Sequence, residues 1–536
     1  MNFINRAIKN VTRKISKSIL LILTFFLIGN LVIIGLGVST ASKSAKTLTR
    51  QKMRAVVTYT VDYDSISKYV NSLEDEDEIN KFYQNYPSVK LSDVEALLTD
   101  DRVKTANALQ TSMYYQVDGV EYVKLGNQAE QSEEESNYTS CYLDANGNEI
   151  CDNVESEKFF VKGNYFPDMI EFSDGDYKIV SGRFYNQDEI DNNSNVVLIS
   201  EALAEVNGVS VGDTIKFGIA NKFYYLRDGT GITEDDLIVE YEIIGIYSHN
   251  QAITPDSNNF DYTYPYENPD NMILMPGTTL NNASVNLQQK MFDYYKETNP
   301  DDEYYQNEAN RPSVQNKDSI TVYDTTILLN DPLEVDDFVE EYSAKLTQFH
   351  KLDANNEEFE KLSKPLDTLS LYANFIVWLV VINAIVIITL VTALTLKTRE
   401  YEIGVLLSIG ATKFKVIMQF FVELAIVAVI GFTLAVGSGS LIANKVGAKV
   451  LEYQISSSGI EEDDSDDNYY YSSIWDSDYT TDISLDDLLS EYEVTVSPMI
   501  IAEIYVMGLA IVMISVIIPS FMIMRYNPKK ILMNQG

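Results

Sequence analysis

Four long apolar stretches are the feature that most constrains what this 536-residue chain can fold into. They cover residues 19–40, 371–396, 416–443 and 499–524. Each is long enough to cross the hydrocarbon core of a bilayer, which takes about 20 apolar residues in a helix. A cleaved signal peptide is the alternative for the first stretch, but its apolar core exceeds the usual length of about 7–15 residues. The pattern therefore predicts four transmembrane helices.

Charge is distributed unevenly between these helices, which predicts their orientation. Residues 1–18, 397–415 and 525–536 together carry a charge of +10. The formal net charge of the chain is nevertheless −39, because the acidic excess falls on residues 41–370 and 444–498. Lys and Arg near helix ends mark the cytoplasmic side. We therefore expect both termini and the loop 397–415 to be cytoplasmic and the two acidic segments to be extracellular, with no nucleic acid among the partners.

The segment before the first apolar stretch has the pattern of an amphipathic helix over residues 1–18. Its other faces carry five basic residues, so such a helix suits the surface of an anionic leaflet. The apolar stripe consists of Ile4, Ile8, Val11 and Ile15. Residues 42–83 lack Gly and Pro, and we expect the first transmembrane helix to continue there as a stalk.

The large acidic segment alternates short strand patterns with helical runs, which predicts a mixed α+β extracellular domain. The clearest strand patterns cover residues 178–183, 195–199, 214–217 and 238–247. The second acidic segment, 444–498, is rich in Asp and Tyr. It is either a solvated insertion or a surface for a cationic peptide or another extracellular partner.

The two cysteines of the chain, Cys141 and Cys151, flank the turn signal Asn146-Gly147. Opposite positions on a hairpin can meet disulfide geometry, and disulfides persist outside the cell. We therefore predict a Cys141–Cys151 disulfide, with two free thiols as the alternative.

Motifs for catalysis are absent from the sequence. It holds no phosphate-binding loop of the Gly-x-x-x-x-Gly-Lys-Ser/Thr type, and its two histidines lie far apart, without a Cys/His cluster for a metal. We therefore expect a non-catalytic chain that binds no cofactor or metal. Glu423 lies inside the third apolar stretch, and an intramembrane carboxylate is a functional candidate. It either pairs with another helix, lines a subunit interface or has a structural role.

The sequence TREYEIGVLLSIGATK at residues 398–413 resembles the signature of the FtsX/MacB-type ABC transporter permeases. The ending NPKKIL at 527–532 is also similar to the family's usual ending, and the order of one span, a large domain and three spans matches its layout. VSGRF at 180–184, NVVLIS at 195–200 and EIIGIY at 242–247 resemble MacB-type extracellular domains.

This resemblance implies that two permeases pair, as a homodimer or a heterodimer, and that each docks on a cytoplasmic ATPase through the loop 397–415. ATP and Mg²⁺ would then bind the ATPase and not this chain. A short amphipathic helix in the loop suits a groove on such a partner. The expected ATPase-coupling residues are Arg399, Glu400, Glu402, Ile403, Gly404, Leu406, Leu407, Ile409, Gly410 and Ala411.

The expected function is that of a permease subunit in a bacterial plasma membrane, which turns ATP hydrolysis by its partner into motion of the extracellular domain. Export or extraction of a peptide, an antimicrobial or lipid-linked cargo fits a domain of this size. The alternative is an FtsX-like signalling scaffold that activates an extracellular partner such as a cell-wall hydrolase.

Overall fold

The computed structural model describes residues 3–124, 138–143, 149–154, 157–250, 264–315, 320–322, 324–458 and 490–525. The chain divides into two compact units. The membrane unit contains the described residues up to Met53 and from Asn356 onward, and the globular unit contains those from Arg54 to Asn355.

The α-helices of the described residues are numbered in chain order. They are α1 (Phe3–Arg13), α2 (Ile15–Lys52), α3 (Tyr63–Val70), α4 (Glu76–Gln84), α5 (Leu91–Leu97), α6 (Ile170–Asp174), α7 (Gln187–Asp191), α8 (Glu201–Asn207), α9 (Lys222–Tyr225), α10 (Gly277–Asn282), α11 (Val285–Thr298), α12 (Glu303–Gln306), α13 (Val335–Ser343), α14 (Glu357–Thr398), α15 (Glu400–Ser408), α16 (Lys413–Ser458) and α17 (Pro498–Arg525).

The strands are numbered in the same way. They are β1 (Val56–Val61), β2 (Val89–Lys90), β3 (Val103–Tyr115), β4 (Tyr138–Leu143), β5 (Glu149–Val154), β6 (Glu157–Asn164), β7 (Tyr177–Gly182), β8 (Val196–Ser200), β9 (Thr214–Gly218), β10 (Ile238–His249), β11 (Met272–Pro276), β12 (Thr321–Val322), β13 (Asp324–Leu329) and β14 (His350–Asp353).

Four helices of the described chain, α2, α14, α16 and α17, are long and apolar enough to cross a membrane. This confirms the four long apolar helices predicted from the sequence. α2, α14 and α16 contain 38, 42 and 46 residues, which corresponds to about 57–69 Å at 1.5 Å per residue. They therefore exceed a hydrocarbon core of about 30 Å, and α16 in particular continues past the predicted end at residue 443 to Ser458.

The predicted stalk helix over residues 42–83 is wrong beyond Lys52. α2 ends there, and Met53 adopts an extended conformation. The next element is β1, which pairs with both β13 and β14. Its sequence, VVTYTV, consists of β-branched residues and a tyrosine, and these residue types favour strands. The absence of Gly and Pro was therefore not sufficient to predict that the helix continues, because the strand preference of these residues ends it.

Within the membrane unit, α2 and α17 each pack against both α14 and α16. Small residues permit the closest approaches. A Cβ atom at Gly508 of α17 would lie 2.1 Å from the Phe432 ring of α16, and the same ring makes an edge contact with Phe25 of α2 at 5.5 Å between centroids. Toward one end of the bundle, the Ser39 and Ser370 hydroxyls lie 3.0 Å apart between α2 and α14. This hydrogen bond adds a polar contact to the apolar packing between the two helices.

The globular unit is built on a mixed sheet with the strand order β14-β1-β13-β3-β6-β11-β8-β10-β7, in which β9 also pairs with β10 and β3. β6 and β11 are parallel, as are β8 and β10, whereas the other neighbours are antiparallel. The four strand patterns predicted above correspond to β7, β8, β9 and β10, which confirms the α+β class.

Residues of β8 show why the middle of this sheet is buried on both faces. Val197 and Ile199 contribute to one apolar core, together with Leu203 of α8. Val196 and Leu198 contribute to a second core on the opposite face. Successive side chains of a strand point to opposite faces, so a continuous apolar strand of this kind is covered on both sides.

The two cysteines lie on β4 and β5, where Cys141 is directly opposite Cys151 in an antiparallel pair. Their side chains, and the turn signal Asn146-Gly147, lie outside the described part of the chain. The disulfide therefore stays a prediction. Residues 459–489, which make up most of the acidic, Tyr-rich segment 444–498, also lie outside the described part of the chain.

Candidate functional site

The polar contacts of the membrane unit converge where α14 ends, α15 follows and α16 begins. Arg399 is the residue between α14 and α15. Its φ and ψ of −111° and 17° end α14 and turn the chain into α15. Glu423 lies three turns into α16. The chain reversal formed by α15 therefore brings together two charged residues that are 24 positions apart.

The Arg399 guanidinium binds two carboxylates at once. Its Nη1 donates to Glu423 Oε2 at 2.8 Å and its Nε donates to Glu402 Oε2 at 2.7 Å. It also lies 4.7 Å from the centre of the Phe420 ring. The Arg399 side chain is only 7% exposed and that of Glu423 14%. A planar guanidinium with several fixed donors suits such a shared contact, and it neutralises a carboxylate that would be costly to leave alone in an apolar region.

The other oxygen of Glu423 joins α1 to this site. Oε1 accepts from Asn10 Nδ2 at 2.8 Å and from Gln419 Nε2 at 3.1 Å. Glu423 therefore accepts three hydrogen bonds, which satisfies a buried carboxylate. Of the alternatives raised for Glu423, the structure provides a partner on another helix within the same chain.

Helix α1 packs on α16 through a face different from the predicted apolar stripe. Ala7 is buried and Val11 is partly buried against the core of the membrane unit, and both lie on the same side of the helix as Asn10. Ile4, Ile8 and Ile15 are exposed. The predicted single helix over residues 1–18 is wrong beyond Arg13, because α1 ends there and Ile15 begins α2. The stripe is therefore divided between two helices, and within α1 Val11 turns inward.

A C-terminal cap fixes the end of α15. The Ala411 N–H donates to the Leu406 carbonyl at 3.0 Å, and the Gly410 N–H donates to the Leu407 carbonyl at 3.2 Å. Gly410 has a φ of +94°. This is the Schellman motif, in which a left-handed residue follows the helix and is usually glycine. The cap ends α15 at Ser408, and four residues, 409–412, separate it from the start of α16 at Lys413.

The structure divides the predicted apolar face of α15 between the protein's own core and its surface. Ile403 is 1% exposed, and Leu406, Leu407 and Ala411 are partly buried against the same core. Ile409 is 79% exposed. Ile403 lies four residues after Arg399 and hence on the same side of the helix, and Arg399 is held inward by Glu423. The expectation that Ile403 faces a partner is therefore wrong.

The remaining predicted coupling residues occupy different positions around α15. Gly404 is buried, Glu400 is half-exposed and Glu402 is exposed. Burial acts to raise the pKa of Glu402, but the hydrogen bond and charge of Arg399, with the charge of Lys14, outweigh it and hold that pKa below its usual range. Two exposed aromatic residues were not among the predicted coupling residues: Tyr401 in the first turn of α15 and Phe414 in the first turn of α16.

Three further members of the site were also missed: Asn10, Gln419 and Phe420. Gln419 precedes Glu423 by four residues, a helical spacing at which side chains meet, so this contact could have been found. Asn10 lies 413 residues from Glu423, and no local pattern connects them. Among the described residues, no group of three or more His, Cys, Asp or Glu is placed to hold a metal ion.

Comparisons with known proteins agree with this architecture. Residues 374–528 match the family described as FtsX-like permease C-terminal, and residues 27–341 match the MacB-like periplasmic core domain. The chain is 28% identical over 447 residues to an uncharacterized ABC transporter permease, YclI, of Bacillus subtilis strain 168, covering 82% of this chain and 80% of that protein.

Among solved structures, the periplasmic region of MacB from Actinobacillus actinomycetemcomitans matches 57% of this chain and 91% of its own length, with 9% identity and a TM-score of 0.25. This structural match is too distant to support the assignment, which depends on the two family matches. The chain is a multi-pass membrane protein and belongs to the FtsX-like ABC transporter permeases that carry a MacB-like periplasmic core domain.

Proposed function

We propose that this permease transmits force from a separate ATPase to its MacB-like domain. The ATPase binds α15 on the cytoplasmic side, both termini face the cytoplasm, and the globular unit lies outside. The charge distribution supports this orientation, because residues 1–18, 397–415 and 525–536 carry a charge of +10 while the net charge of the chain is −39.

The observation that carries the proposal is the Arg399 link between α15 and α16. Through Nε and Nη1 this one side chain holds Glu402 on α15 and Glu423 on α16, at 2.7 and 2.8 Å. The cap at Gly410 closes the other end of α15 with two backbone hydrogen bonds. The Arg399 side chain therefore ties the start of α15 to α16, and only residues 409–412 join the capped end of α15 to the start of α16, so that a displacement imposed on α15 moves α16 with it.

The surface that would receive the ATPase is the exposed side of α15 and its flanks. Tyr401, Ile409 and Phe414 are large, apolar and exposed there. Apolar residues clustered on a water-facing surface mark interaction sites, and a short helix lying in a groove is a common recognition mode. These residues replace Ile403 as the expected contacts of the partner.

A second permease would pack against α14. Its exposed side chains recur along one side of the helix and include Phe375, Trp378, Ile382, Leu390 and Leu394. Such a surface suits either lipid or another apolar helix, and the family relationship favours a paired permease in part of it. The transport cargo would be a peptide, an antimicrobial or a lipid-linked molecule, handled by the globular unit.

Copurification with the candidate ATPase tests the docking surface. The variant Ile409→Asp/Phe414→Asp places two charges on the exposed flank of α15 and should lose the ATPase while still inserting in the membrane. Tyr63→Asp changes another exposed aromatic residue, in the globular unit, and this variant should retain the ATPase. If the ATPase stays bound to the α15 variant, the docking assignment is wrong.

A further inference from the structure

A pocket lies beside the Arg399–Glu423 pair, between the α1–α2 junction and the neighbouring parts of α14 and α16. Lys14 and Lys17 line it on one side, and both are exposed. Neither lysine forms an ion pair among the residues that the structure describes. Arg399 and Glu423 also line the pocket and pair at 2.8 Å, so their charges cancel within the lining; Glu402, which also binds Arg399, is not part of the lining. The lining therefore has a net charge of +2 from the two lysines.

The rest of the lining is apolar and lies deeper along the helices. Leu21 of α2, Val391 of α14, and Leu424 and Val427 of α16 line this part. Leu21 lies seven residues after Lys14, which is about 10 Å along a helix. The pocket therefore changes from cationic to apolar over roughly the distance that separates a lipid phosphate from the first carbons of its acyl chains.

We propose that this pocket binds one anionic phospholipid, with its phosphate at Lys14 and Lys17 and an acyl chain along Leu21, Val391 and Val427. Charge complementarity favours an anionic headgroup, since basic side chains next to a membrane surface attract anionic lipid. The apolar lining favours a lipid over a free phosphate. The inference goes beyond the proposed coupling and does not depend on the identity of the ATPase.

Binding of phosphatidylglycerol to the full-length, delipidated protein in detergent tests this, with phosphatidylcholine as the zwitterionic probe and native mass spectrometry as the readout. We expect saturable binding of one phosphatidylglycerol per chain. Each basic group at an anionic surface strengthens binding about fivefold, so Lys14→Gln/Lys17→Gln should weaken it about 25-fold.

Two further variants separate a defined site from diffuse attraction. Lys9→Gln/Arg13→Gln removes the same charge from exposed positions of α1 outside the pocket and should change the affinity less than twofold. Thr395→Trp places an indole in the pocket without changing the charge and should also abolish the one-to-one complex, so the test does not depend on the folding of the lysine variant.

Equal weakening by the two charge-removing variants would overturn the proposal, because the attraction would then belong to the whole basic surface. So would equal binding of phosphatidylcholine, or unchanged phosphatidylglycerol binding in Thr395→Trp.

Discussion

The Glu423 side chain is only 14% exposed. Replacing Arg399 by glutamine would leave this buried carboxylate without its cationic partner. Only the amide donors of Asn10 and Gln419 would remain, at 2.8 and 3.1 Å. Removing one partner of a buried ion pair typically costs about 3–5 kcal/mol, because an uncompensated charge is left behind. We expect Arg399→Gln to lower the free energy of unfolding by that amount.

Glu423→Gln should be milder. Arg399 keeps its contact with Glu402 at 2.7 Å, and a glutamine carbonyl can still accept from Asn10. A lost hydrogen bond to a charged group costs about 1.5–3 kcal/mol. In the double variant no charge is left unpaired at this contact, so its cost should fall below the sum of the two single changes, with a coupling of about 1–3 kcal/mol.

The assay is reversible unfolding of the full-length protein by sodium dodecyl sulfate in mixed micelles. Lys46 and Asp367 provide a matched control in the same unit, since their ion pair is 2.6 Å long but both side chains are substantially exposed. The cycle with Lys46→Gln and Asp367→Asn should show a coupling below about 1 kcal/mol. If the Arg399 and Glu423 variants add within about 0.5 kcal/mol, the pair does not act as a unit and the reasoning is refuted.

Three other predictions use different parts of the chain. Gly410→Ala should lower the thermal unfolding midpoint, because a left-handed backbone costs about 1–2 kcal/mol for a residue with a Cβ atom. The control Gly437→Ala in α16 should not lower it, because an added Cβ there would meet no atom within 4 Å beyond the local backbone of its own helix. Peptide mapping without reductant should find Cys141 joined to Cys151, and alkylation of both would exclude the bridge. The hydrogen bond from the Arg102 guanidinium lowers the pKa of the Asp100 carboxyl. The contribution of the ionised Asp100 to stability is therefore complete above about pH 4 and is lost as the pH falls further. Asp100→Asn should flatten this part of the profile of unfolding midpoint against pH.

The sequence predicted elements whose information is local. The four apolar helices follow from uninterrupted apolar runs. β8 follows from a short run of apolar residues, and all five residues of this strand are buried in the structure. The ends of the helices were harder to predict from the sequence. α2 stops at Lys52 because the next segment pairs with β13 and β14, and the absence of Gly and Pro gives no information about strand pairing.

The candidate site was predicted by residue type but not by arrangement. Arg399, Glu402 and Glu423 were each singled out. Arg399 and Glu402 are three residues apart, a spacing at which side chains meet, but nothing in the spacing showed that the same guanidinium also binds Glu423. The periodicity of α15 identified an apolar face without indicating what that face contacts, so Ile403 was expected at a partner and lies in the core. Asn10 could be placed only by the tertiary fold.

Labelling of a cysteine at position 409 tests the central claim most directly. In an Ile409→Cys protein whose two native cysteines are replaced by serine, a membrane-impermeant maleimide should label inside-out vesicles and not intact cells, because Ile409 is 79% exposed and is proposed to face the cytoplasm. Added ATPase should protect the thiol. Labelling in intact cells would contradict the proposed cytoplasmic location of α15. Labelling in inside-out vesicles that is not reduced by bound ATPase would contradict the proposal that the ATPase acts on α15.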